Sequence, residues 1–472
     1  MLATAQSKMG EKRMDIMSAV VRKVFIPLWA LKSGTYGELK YHNFFHSLAS
    51  LSTTEILARQ RARLQHIVVH AYENTDYYRA AFDASGFSPY QLAEINPLQN
   101  VPLLTKVLIR TNFDKLFARG FAASDIVRNT TGSSTGTPLS YAYNKECVFM
   151  RKGQELYFDR WMGYRPGDKI ALFVAAAHHD NIAQRWRAKL RNATNERMLR
   201  FDPHHITDEY MREFANEFVA YKPTMIKCFP NSLAIFADFV RRERLVLPPV
   251  RTISCTGENL YPHQKQLFRE TFGGEVFEKY GTKECGVIAS ECREHAGMHV
   301  FAEGVFLEIL DGNSNPVSPG ESGRVVVTDL FNRGFPLIRY EIGDMAVARE
   351  QSPCRCGDPL PMIDRLIGRD RDILVDGDGN PKPGYLFVDA ISRMNLVDAQ
   401  FQVVQQPNCD IVIKVVNVDK NAVDIQSLVG KFREIVGPKL PIMVEHVESI
   451  PRDPSGKYRY VISLRNPSPA VK

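Results

Sequence analysis

The feature that constrains the fold most is an alternation of short apolar runs with amphipathic stretches between residues 170 and 280. The apolar runs, which read as buried strands, are Ile170–Ala175, Thr224–Phe229, Arg251–Cys255 and Val276–Tyr280. The intervals with helical periodicity are Asp208–Tyr221, Ser232–Glu243 and Pro262–Phe272. Strands that alternate with helices are typical of a parallel sheet. This part of the chain therefore predicts a parallel α/β core.

The sequence after this core changes from alternating elements to strands alone. The predicted strands are Phe306–Leu310, Arg324–Leu330 and Leu337–Arg339. A third region, beyond Gly368, reads as strands at Gln402–Gln405, Asp410–Val416 and Val444–Val447 with a helix at Val423–Val436. We therefore predict an α/β fold with a large domain, residues 1–367, that ends in a β-rich part, and a small mobile α+β domain, residues 368–472.

The chain before the core reads as mainly helical. Thr53 or Thr54 is the predicted N-cap of a helix that runs to Tyr72, with Leu57 and Leu64 on its apolar face. A second helix is predicted from Lys106 to near Gly120. The segment Val20–Leu31 is apolar but contains Arg22 and Lys23, so two interpretations stay open. Burial in the protein is favoured, and contact with a membrane surface is the alternative.

Composition excludes several classes of protein. Of the 472 residues, 44% are hydrophobic and 24% charged, as in ordinary globular proteins. The net charge of +7 is small for this length, which argues against a nucleic-acid partner. There is no apolar run long enough to span a membrane. Eight cysteines in so long a chain do not indicate a secreted disulfide framework, so we expect a reducing, cytoplasmic setting. The oligomeric state cannot be read from the sequence.

The segment Asn129–Leu139, read as N-T-T-G-S-S-T-G-T-P-L, combines hydroxyl side chains with glycines and has no charge. Such a run does not fill a core, but its backbone N–H groups and hydroxyls suit an anion. It is not a Walker loop, because Gly136 is followed by Thr137 instead of lysine. A phosphate-binding loop and a solvated linker both remain open from this segment alone.

Further short motifs follow this loop in order: Thr256–Leu260, Tyr280–Glu284, Arg339–Asp344, Gly368–Asp372 and Pro451–Arg459. Their residue types suit one chemistry. Glu284 can hold Mg²⁺ against phosphates, and Asp344 can accept hydrogen bonds from ribose hydroxyls. Tyr280 offers an aromatic face for adenine, and Lys457 can reach a developing negative charge. The motifs together indicate a nucleotide-binding enzyme.

The order and spacing of these motifs resemble those of the adenylate-forming superfamily, which includes the acyl-CoA synthetases. The branch most similar is that of the phenylacetate–coenzyme A ligases, especially the CapK-like members linked to surface polysaccharides. The segment His70–Arg79, read as H-A-Y-E-N-T-D-Y-Y-R, resembles the N-terminal H-A-Y-E-N-V-P-Y-Y segment of that branch. The sequence departs from the family pattern at Ser133, which replaces a glycine, at Lys283, which replaces Thr or Ser, and at Arg371, which replaces the hinge aspartate.

The resemblance implies a role for each motif. The phosphate loop would be Thr131, Gly132, Ser133, Ser134, Thr135, Gly136 and Thr137. The adenosine would contact Gly257, Glu258, Tyr280 and Gly281, the phosphates and Mg²⁺ would lie near Thr282 and Glu284, and the ribose would bind Asp344 and Arg369. Lys457 and Glu284 would be catalytic, and Arg371 would lie at the hinge between the two domains.

The resemblance also implies a reaction in two halves. A small carboxylic acid attacks the α-phosphate of ATP, and a thiol such as that of coenzyme A, or an amine, then displaces AMP. The opposing hypothesis is a catalytically degenerate scaffold that keeps the nucleotide pocket and contacts a membrane assembly through Val20–Leu31.

Cys292, His299, Cys354 and Cys356 form a C-x6-H and C-x-C pattern that can satisfy tetrahedral Zn²⁺. Many members of the branch have a similar pattern, which implies a structural zinc. Cys285 and His295 are alternative ligands. The expected cofactors are therefore ATP, Mg²⁺ and structural Zn²⁺, with coenzyme A if the acceptor is its thiol.

Overall fold

The computed structural model describes residues 16–33, 36–93, 96–130, 139–174, 191–203, 206–369, 373–392, 400–416, 425–451 and 458–465. Its α-helices, in chain order, are α1 (Ile16–Val20), α2 (Ile26–Ser33), α3 (Tyr36–Ser47), α4 (Thr53–Asn74), α5 (Asp76–Ser85), α6 (Lys106–Thr111), α7 (Lys145–Asp159), α8 (Asp208–Tyr221), α9 (Pro230–Arg242), α10 (Pro262–Phe272), α11 (Gly384–Ser392) and α12 (Ile425–Val436). Among the helices of these described segments, none is both long and apolar enough to cross a membrane.

Strands occur throughout the rest of the described chain. They are β1 (Ile126–Thr130), β2 (Ser140–Asn144), β3 (Ile170–Phe173), β4 (Met198–Arg200), β5 (Met225–Cys228), β6 (Thr252–Thr256), β7 (Glu275–Thr282), β8 (Gly286–Glu291), β9 (Met298–Val300), β10 (Val305–Leu310), β11 (Ser322–Asp329), β12 (Tyr340–Val347), β13 (Met362–Ile363), β14 (Arg365–Arg369), β15 (Ile373–Val375), β16 (Pro381–Pro383), β17 (Gln400–Gln405), β18 (Ile411–Val416), β19 (Ile442–His446) and β20 (Val461–Ser463). The predicted α/β class is confirmed, since helices and strands alternate through the core.

The chain forms two compact units, of which the first contains residues 1–48, 148–255 and 268–277. Its sheet has β4 beside β3, β3 beside β5 and β5 beside β6, all parallel, as the sequence predicts. The strands are short and apolar because helices cover them. An aromatic cluster of Phe173, Phe201, Phe214 and Phe236 fills the space between β3 and helices α8 and α9. This unit is the parallel α/β part of the fold.

The second unit contains residues 49–147, 256–267 and 278–472. In it β7, β8, β9 and β13 pair antiparallel in that order. A second antiparallel sheet has the order β10, β11, β12 and β14. One apolar core joins α4 and α5 to both sheets, with Leu64, Tyr78 and Tyr340 among its buried members. The β-rich end predicted from the sequence is thus present and packs against the α4–α5 pair.

The C-terminal part of the second unit has its own apolar core. Strands β19, β18, β17 and β20 form a mixed sheet, in which β17 and β18 are antiparallel and the outer pairs are parallel. Helices α11 and α12 cover it with Phe387, Leu428 and Phe432. Tyr261, from the segment before α10, belongs to the same cluster. The predicted strands and helix of this region are therefore present, and the additional helix α11 precedes them.

The strands of a hairpin, β1 and β2, precede and follow the hydroxyl-rich segment, and the alternation of Leu139, Tyr141 and Tyr143 with polar residues predicts the second of them. Strands β1 and β2 pair antiparallel, so that Thr130 lies opposite Ser140. Leu139 and Tyr141 are buried and anchor this hairpin in the core. The predicted phosphate loop, Thr131–Thr137, lies outside the described residues.

Helix α4 corrects two details of the prediction. Its N-cap is Ser52, which forms a capping box with Glu55, and neither Thr53 nor Thr54 has this role. The buried face contains Ile56 and Gln60, whereas Leu57 is exposed. The prediction placed Leu57 on this face, where the structure has its neighbour Ile56. Gln60 is buried because its side-chain amide donates to the carbonyl of Val305.

Two other predicted elements are wrong in extent. The helix that starts at Lys106 ends at Thr111, and a 3₁₀ turn at Phe113–Leu116 follows it. Leu337–Arg339 is not a strand; the strand begins at Tyr340. Arg339 has a positive φ of 51°, which interrupts extended backbone at this point.

Arg339 is almost completely buried and ionically paired. Its guanidinium donates to the Glu308 carboxylate at 3.0 Å and to the carbonyl oxygen of Val101 at 2.7 Å. Its backbone N–H donates to the Thr328 hydroxyl at 3.0 Å. Burial raises the pKa of Glu308, and Arg339 acts against this rise. Loss of either partner would therefore leave the other charge buried without a counter-charge.

We expect Arg339→Ala to lower the free energy of unfolding by about 3–5 kcal/mol, because the substitution leaves the Glu308 charge buried without a partner. Urea denaturation of the full chain measures this change. The double variant Arg339→Met with Glu308→Gln should recover part of the loss. Arg241→Ala is the control, because Arg241 is exposed and pairs only at the surface with Asp238. Equal effects of Arg339→Ala and the control would contradict the prediction.

Candidate functional site

The loop after β6 contacts the C-terminal part of the second unit. Gly257 has a φ of 78°, a conformation that favours glycine, and it turns the chain so that Glu258 follows immediately. Glu258 Oε1 accepts a hydrogen bond of 2.9 Å from the backbone N–H of Tyr458. Tyr458 is the residue after the predicted catalytic Lys457. Two predicted motifs far apart in sequence therefore lie together.

Gly368 lies against the same loop. A Cβ atom at this position would lie 2.5 Å from Asn259 Nδ2, and the φ of Gly368 is 124°. Both observations require glycine at the end of β14. The first residue of the predicted hinge motif is therefore fixed by its contact with the loop that follows β6.

The predicted adenine and ribose residues contact each other. The Tyr280 hydroxyl donates to Asp344 Oδ2 at 2.8 Å. Asp344, on β12, lies opposite Arg369 on β14. A carboxylate has about four acceptor positions, so this bond orients Asp344 and leaves capacity for ribose hydroxyls. The side chains of Tyr280 and Asp344 and the backbone of Arg369 therefore lie close together.

Glu284, the predicted magnesium ligand, is buried beside Tyr340. The Tyr340 hydroxyl donates to Glu284 Oε1 at 3.2 Å, and burial, with the nearby Glu284 charge, raises the pKa of Tyr340. Thr282 Oγ1 accepts from the backbone N–H of Cys285 at 3.0 Å, which closes the turn between β7 and β8. A Cβ at Gly281 would lie 2.6 Å from the carbonyl oxygen of Gly286. This turn therefore requires its glycine and holds Glu284 in one orientation.

Several predicted residues fall outside the description. Lys457 and Arg371 lie outside the described residues, as does the loop Thr131–Thr137, and for Arg369 the structure gives only the backbone. Their predicted roles therefore stay predictions.

Two residues that the prediction did not assign support the site. Tyr340 orients Glu284, as described above. Lys106 Nζ donates to the carbonyl oxygen of Ile342 at 2.6 Å, just before the Gly343–Asp344 turn. Tyr340 lies inside the Arg339–Asp344 motif, and its closeness in sequence to Asp344 could have indicated a role in the site. No sequence signal links Lys106 to a residue more than two hundred positions away.

The predicted metal ligands Cys292, His299, Cys354 and Cys356 come together, and their ligand atoms all lie within 4.8 Å of one another. The Sγ atoms of Cys292 and Cys354 are 3.7 Å apart, and Cys356 Sγ is 3.4 Å from His299 Nε2. Zinc bonds are about 2.3 Å long to sulfur and about 2.0–2.1 Å long to nitrogen. In a tetrahedral site these lengths place two sulfur ligands about 3.8 Å apart, and a sulfur and a nitrogen ligand about 3.5 Å apart. The spacing therefore fits a tetrahedral ion.

The surroundings of this cluster also suit a cation. His299 Nδ1 lies 3.1 Å from the carbonyl oxygen of Leu360, which directs Nε2 toward the thiols. Burial raises the pKa of the Cys292 and Cys356 thiols and lowers that of His299. A divalent cation would favour the thiolate forms. Among the alternative ligands, His295 pairs with Glu291 at 3.3 Å, so its ring is already engaged elsewhere.

A separate polar cavity of about 380 Å³ lies in the second unit. Its lining residues are Lys265, Glu278, Glu291, His295, Ala296, Gly297, Met298, Asp364 and Arg365. Burial, and next the charge of Glu291, raises the pKa of Glu278 to about 7. Burial acts to raise the pKa of Glu291, but the contact with His295 and the ion pair with Lys265 at 2.9 Å outweigh it and lower this pKa. The two carboxyl groups of the cavity therefore differ in pKa, that of Glu278 being raised and that of Glu291 lowered.

Comparison with known proteins identifies the class. Residues 384–464 match the family described as the CapK C-terminal domain. A crystal structure of 2-hydroxyisobutyryl-CoA ligase in complex with 2-HIB-AMP superposes with a TM-score of 0.68 at 19% identity, covering 87% of this chain and 89% of the ligase. The chain therefore has the fold of the adenylate-forming ligases.

Proteins with similar sequences indicate which adenylate-forming ligases this chain resembles. Protein CapK of Staphylococcus aureus is 22% identical over 417 residues, which cover 87% of this chain and 89% of CapK. Phenylacetate-coenzyme A ligase of Escherichia coli (strain K12) is 23% identical over 439 residues, covering 89% of this chain and 97% of the ligase. The resemblance stated from the sequence is confirmed: the chain is related to CapK and the phenylacetate–coenzyme A ligases.

We expect the stability of the protein to fall as the pH rises from about 4.5 to about 7, relative to that of a Glu278→Gln variant. The raised folded-state pKa of Glu278 favours its protonated form, so its contribution is complete below the unfolded pKa of 4.5 and is lost above about 7. The difference should reach about 1–3 kcal/mol. Urea titrations of both proteins at several pH values measure it. A constant difference across this range would contradict the prediction.

Proposed function

We propose that the protein is an ATP-dependent, AMP-forming ligase that adenylates a small carboxylic acid. The observation that carries the proposal is the hydrogen bond between Glu258 and the backbone of Tyr458. It brings the loop proposed for adenosine next to Tyr458, the residue that follows Lys457 in the sequence. The fold shared with a ligase in complex with 2-HIB-AMP supports the same reaction type.

In the proposed first half-reaction, an oxygen of the substrate carboxylate attacks the α-phosphorus of ATP, and the bond to the bridging oxygen breaks to release pyrophosphate. Lys457 would stabilise the charge that develops on the α-phosphate. Glu284 would hold Mg²⁺ on the phosphates, and Asp344 with Arg369 would position the ribose. The residues 131–137 would wrap the β- and γ-phosphates. Alignment and charge stabilisation would supply most of the rate enhancement.

In the proposed second half-reaction, a thiol or amine attacks the acyl carbonyl carbon, loses its proton and displaces AMP. Coenzyme A is the proposed thiol, supported by the names of the relatives and of the solved ligase. We place the mobile C-terminal domain at residues 368–472, with the hinge at Arg371. We further propose a place in surface-polysaccharide synthesis, which the resemblance to the CapK-like sequences implies. We also propose a reducing, cytoplasmic setting, because eight cysteines in a chain of this length do not indicate a secreted disulfide framework.

The wild-type protein should catalyse exchange of pyrophosphate into ATP with one class of acid from a panel of aryl, fatty, hydroxy and amino acids. Lys457→Ala should lower the exchange rate by about 10²–10³-fold, since it removes a charge that acts in the transition state. Lys439→Ala, an exposed lysine of the same C-terminal part that pairs with Asp378, is the matched control and should leave the rate unchanged. ATP binding without exchange for any acid would instead favour the nucleotide-binding scaffold.

We also propose a structural zinc ion at Cys292, His299, Cys354 and Cys356. Four protein ligands satisfy a tetrahedral ion and leave no open position for a substrate, so the proposed role is structural. The ion would join the β8–β9 hairpin to the segment before β13. The separations of 3.7 Å and 3.4 Å between ligand atoms support the assignment.

We expect metal analysis to find one zinc ion per chain in the purified protein. Cys354→Ser should release the ion and lower the melting temperature by several degrees, because the remaining ligands bind it far more weakly. Cys409→Ser is the control, because Cys409 lies outside the cluster and should keep both zinc and stability. A Cys354→Ser protein that melts normally, or a wild-type protein without zinc, would contradict the proposal.

A further inference from the structure

The N-terminal helical segment of the first unit presents an apolar stripe to solvent. Its members are Met17 (53% exposed), Val20 (38%), Val24 (46%), Leu28 (56%) and Leu31 (68%). Their spacing of three or four residues places them on one side of the continuous run formed by α1, the π-helical turn Val21–Phe25 and α2. At about 1.5 Å per residue, the stripe is about 21 Å long.

The opposite side of this segment is fixed to the first unit. Arg22 donates to the carbonyl oxygen of Pro166 at 2.9 Å and pairs with Asp168 at 3.2 Å. The Ser18 hydroxyl accepts from Arg197 at 2.6 Å, and the Trp29 indole donates to the Thr194 hydroxyl at 2.9 Å. These contacts set the rotation of the helices, so the stripe faces away from the unit. The sequence favoured burial of this segment, and the structure buries only the side that contacts the first unit.

The charge of the segment matches an anionic surface. Residues 16–33 include three basic residues, Arg22, Lys23 and Lys32, and no acidic residue. Arg22 is neutralised by Asp168, whereas Lys23 is exposed beside the stripe. An apolar stripe with adjacent lysine is the pattern that binds in the interface of membranes with anionic lipids.

The area of the stripe argues against a protein partner. A fully buried Val, Leu or Met side chain contributes about 60–120 Å² of apolar surface. With about half of each side chain exposed, the stripe offers on the order of 150–300 Å². A stable protein–protein interface buries about 800 Å² on each partner, of which about 450 Å² is apolar. An interfacial helix needs only one apolar face and supporting charge.

We propose that Met17, Val20, Val24, Leu28 and Leu31 form a membrane-docking surface for anionic lipid bilayers, with Lys23 contacting the headgroups. The helical segment would lie in the plane of the interface, with the stripe inserted and the rest of the first unit on the aqueous side. The proposal is independent of the catalytic activity.

Co-sedimentation of the full chain with vesicles tests this surface. The protein should bind vesicles of equal parts phosphatidylcholine and phosphatidylglycerol, and binding should weaken with added salt. Leu28→Ser combined with Leu31→Ser should lower the partition coefficient by at least about tenfold. Lys23→Glu should lower binding to the mixed vesicles by at least about fivefold while changing binding to pure phosphatidylcholine little.

Val246→Ser is the matched control. Val246 is 90% exposed on the same unit but lies outside the stripe, so its substitution should leave vesicle binding unchanged. Equal melting temperatures of all variants would exclude unfolding as the cause. Absence of binding to either vesicle would overturn the proposal. Sedimentation velocity tests the alternative that a second copy of the chain covers the stripe. Dimerisation that depends on concentration and is abolished by the double leucine variant would also overturn the proposal.

Discussion

The buried guanidinium of Arg339 is the interaction on which the geometry of the candidate site depends. A buried cation needs hydrogen-bond acceptors from the protein, because water cannot solvate it. Arg339 donates to the Glu308 carboxylate and to the carbonyl oxygens of Gln99 and Val101. These bonds join the segment before α6 to the start of β12. Leu104 then exchanges backbone hydrogen bonds with Arg339 and Glu341. The positive φ of Arg339 is maintained by these contacts, and β12 begins only after it.

The position of β12 in turn fixes two tyrosine–carboxylate pairs. Tyr340 reaches Glu284, and Asp344 receives the hydroxyl of Tyr280. In both pairs a neutral hydroxyl donates to a carboxylate, which orients the carboxylate without neutralising its charge. Carboxylates held in one orientation suit the roles proposed for them, holding Mg²⁺ and ribose hydroxyls. Because the donors are in place before a ligand arrives, little reorganisation is needed at binding.

The sequence predicted those parts of the fold that depend on local pattern. The bounds of α8 and α10 agree with the prediction, because their apolar positions recur with helical period. The prediction failed where a distant partner decides the local structure. Leu337–Arg339 has strand composition, but the contacts of Arg339 impose a different backbone. Gln60 was not recognised as buried because its acceptor, Val305, lies on another element.

The same distinction applies to the candidate site. The order of the motifs predicted Glu258, Tyr280, Glu284 and Asp344 as site residues. In the structure Tyr280 contacts Asp344, and Glu284 lies in the turn that follows β7, the strand of Tyr280. Neither the bond between Glu258 and the Tyr458 backbone nor the support from Lys106 could be predicted, since each depends on how two distant segments pack. A motif identifies which residues have a chemical role, whereas only the packing identifies which neighbours hold them.

The cysteine–histidine cluster lies where a metal ion could hold a segment that has no regular secondary structure. From Ala348 to Pro361 the chain has neither helix nor strand, although it connects β12 to the short strand β13. Backbone groups in such a segment find few regular partners, and few apolar side chains are available to anchor it. Cys354 and Cys356 lie in its middle, and the pairing of Met362 with His299 lies at its end. A metal ion bound there would fix the segment at its centre, where hydrophobic burial is least able to do so.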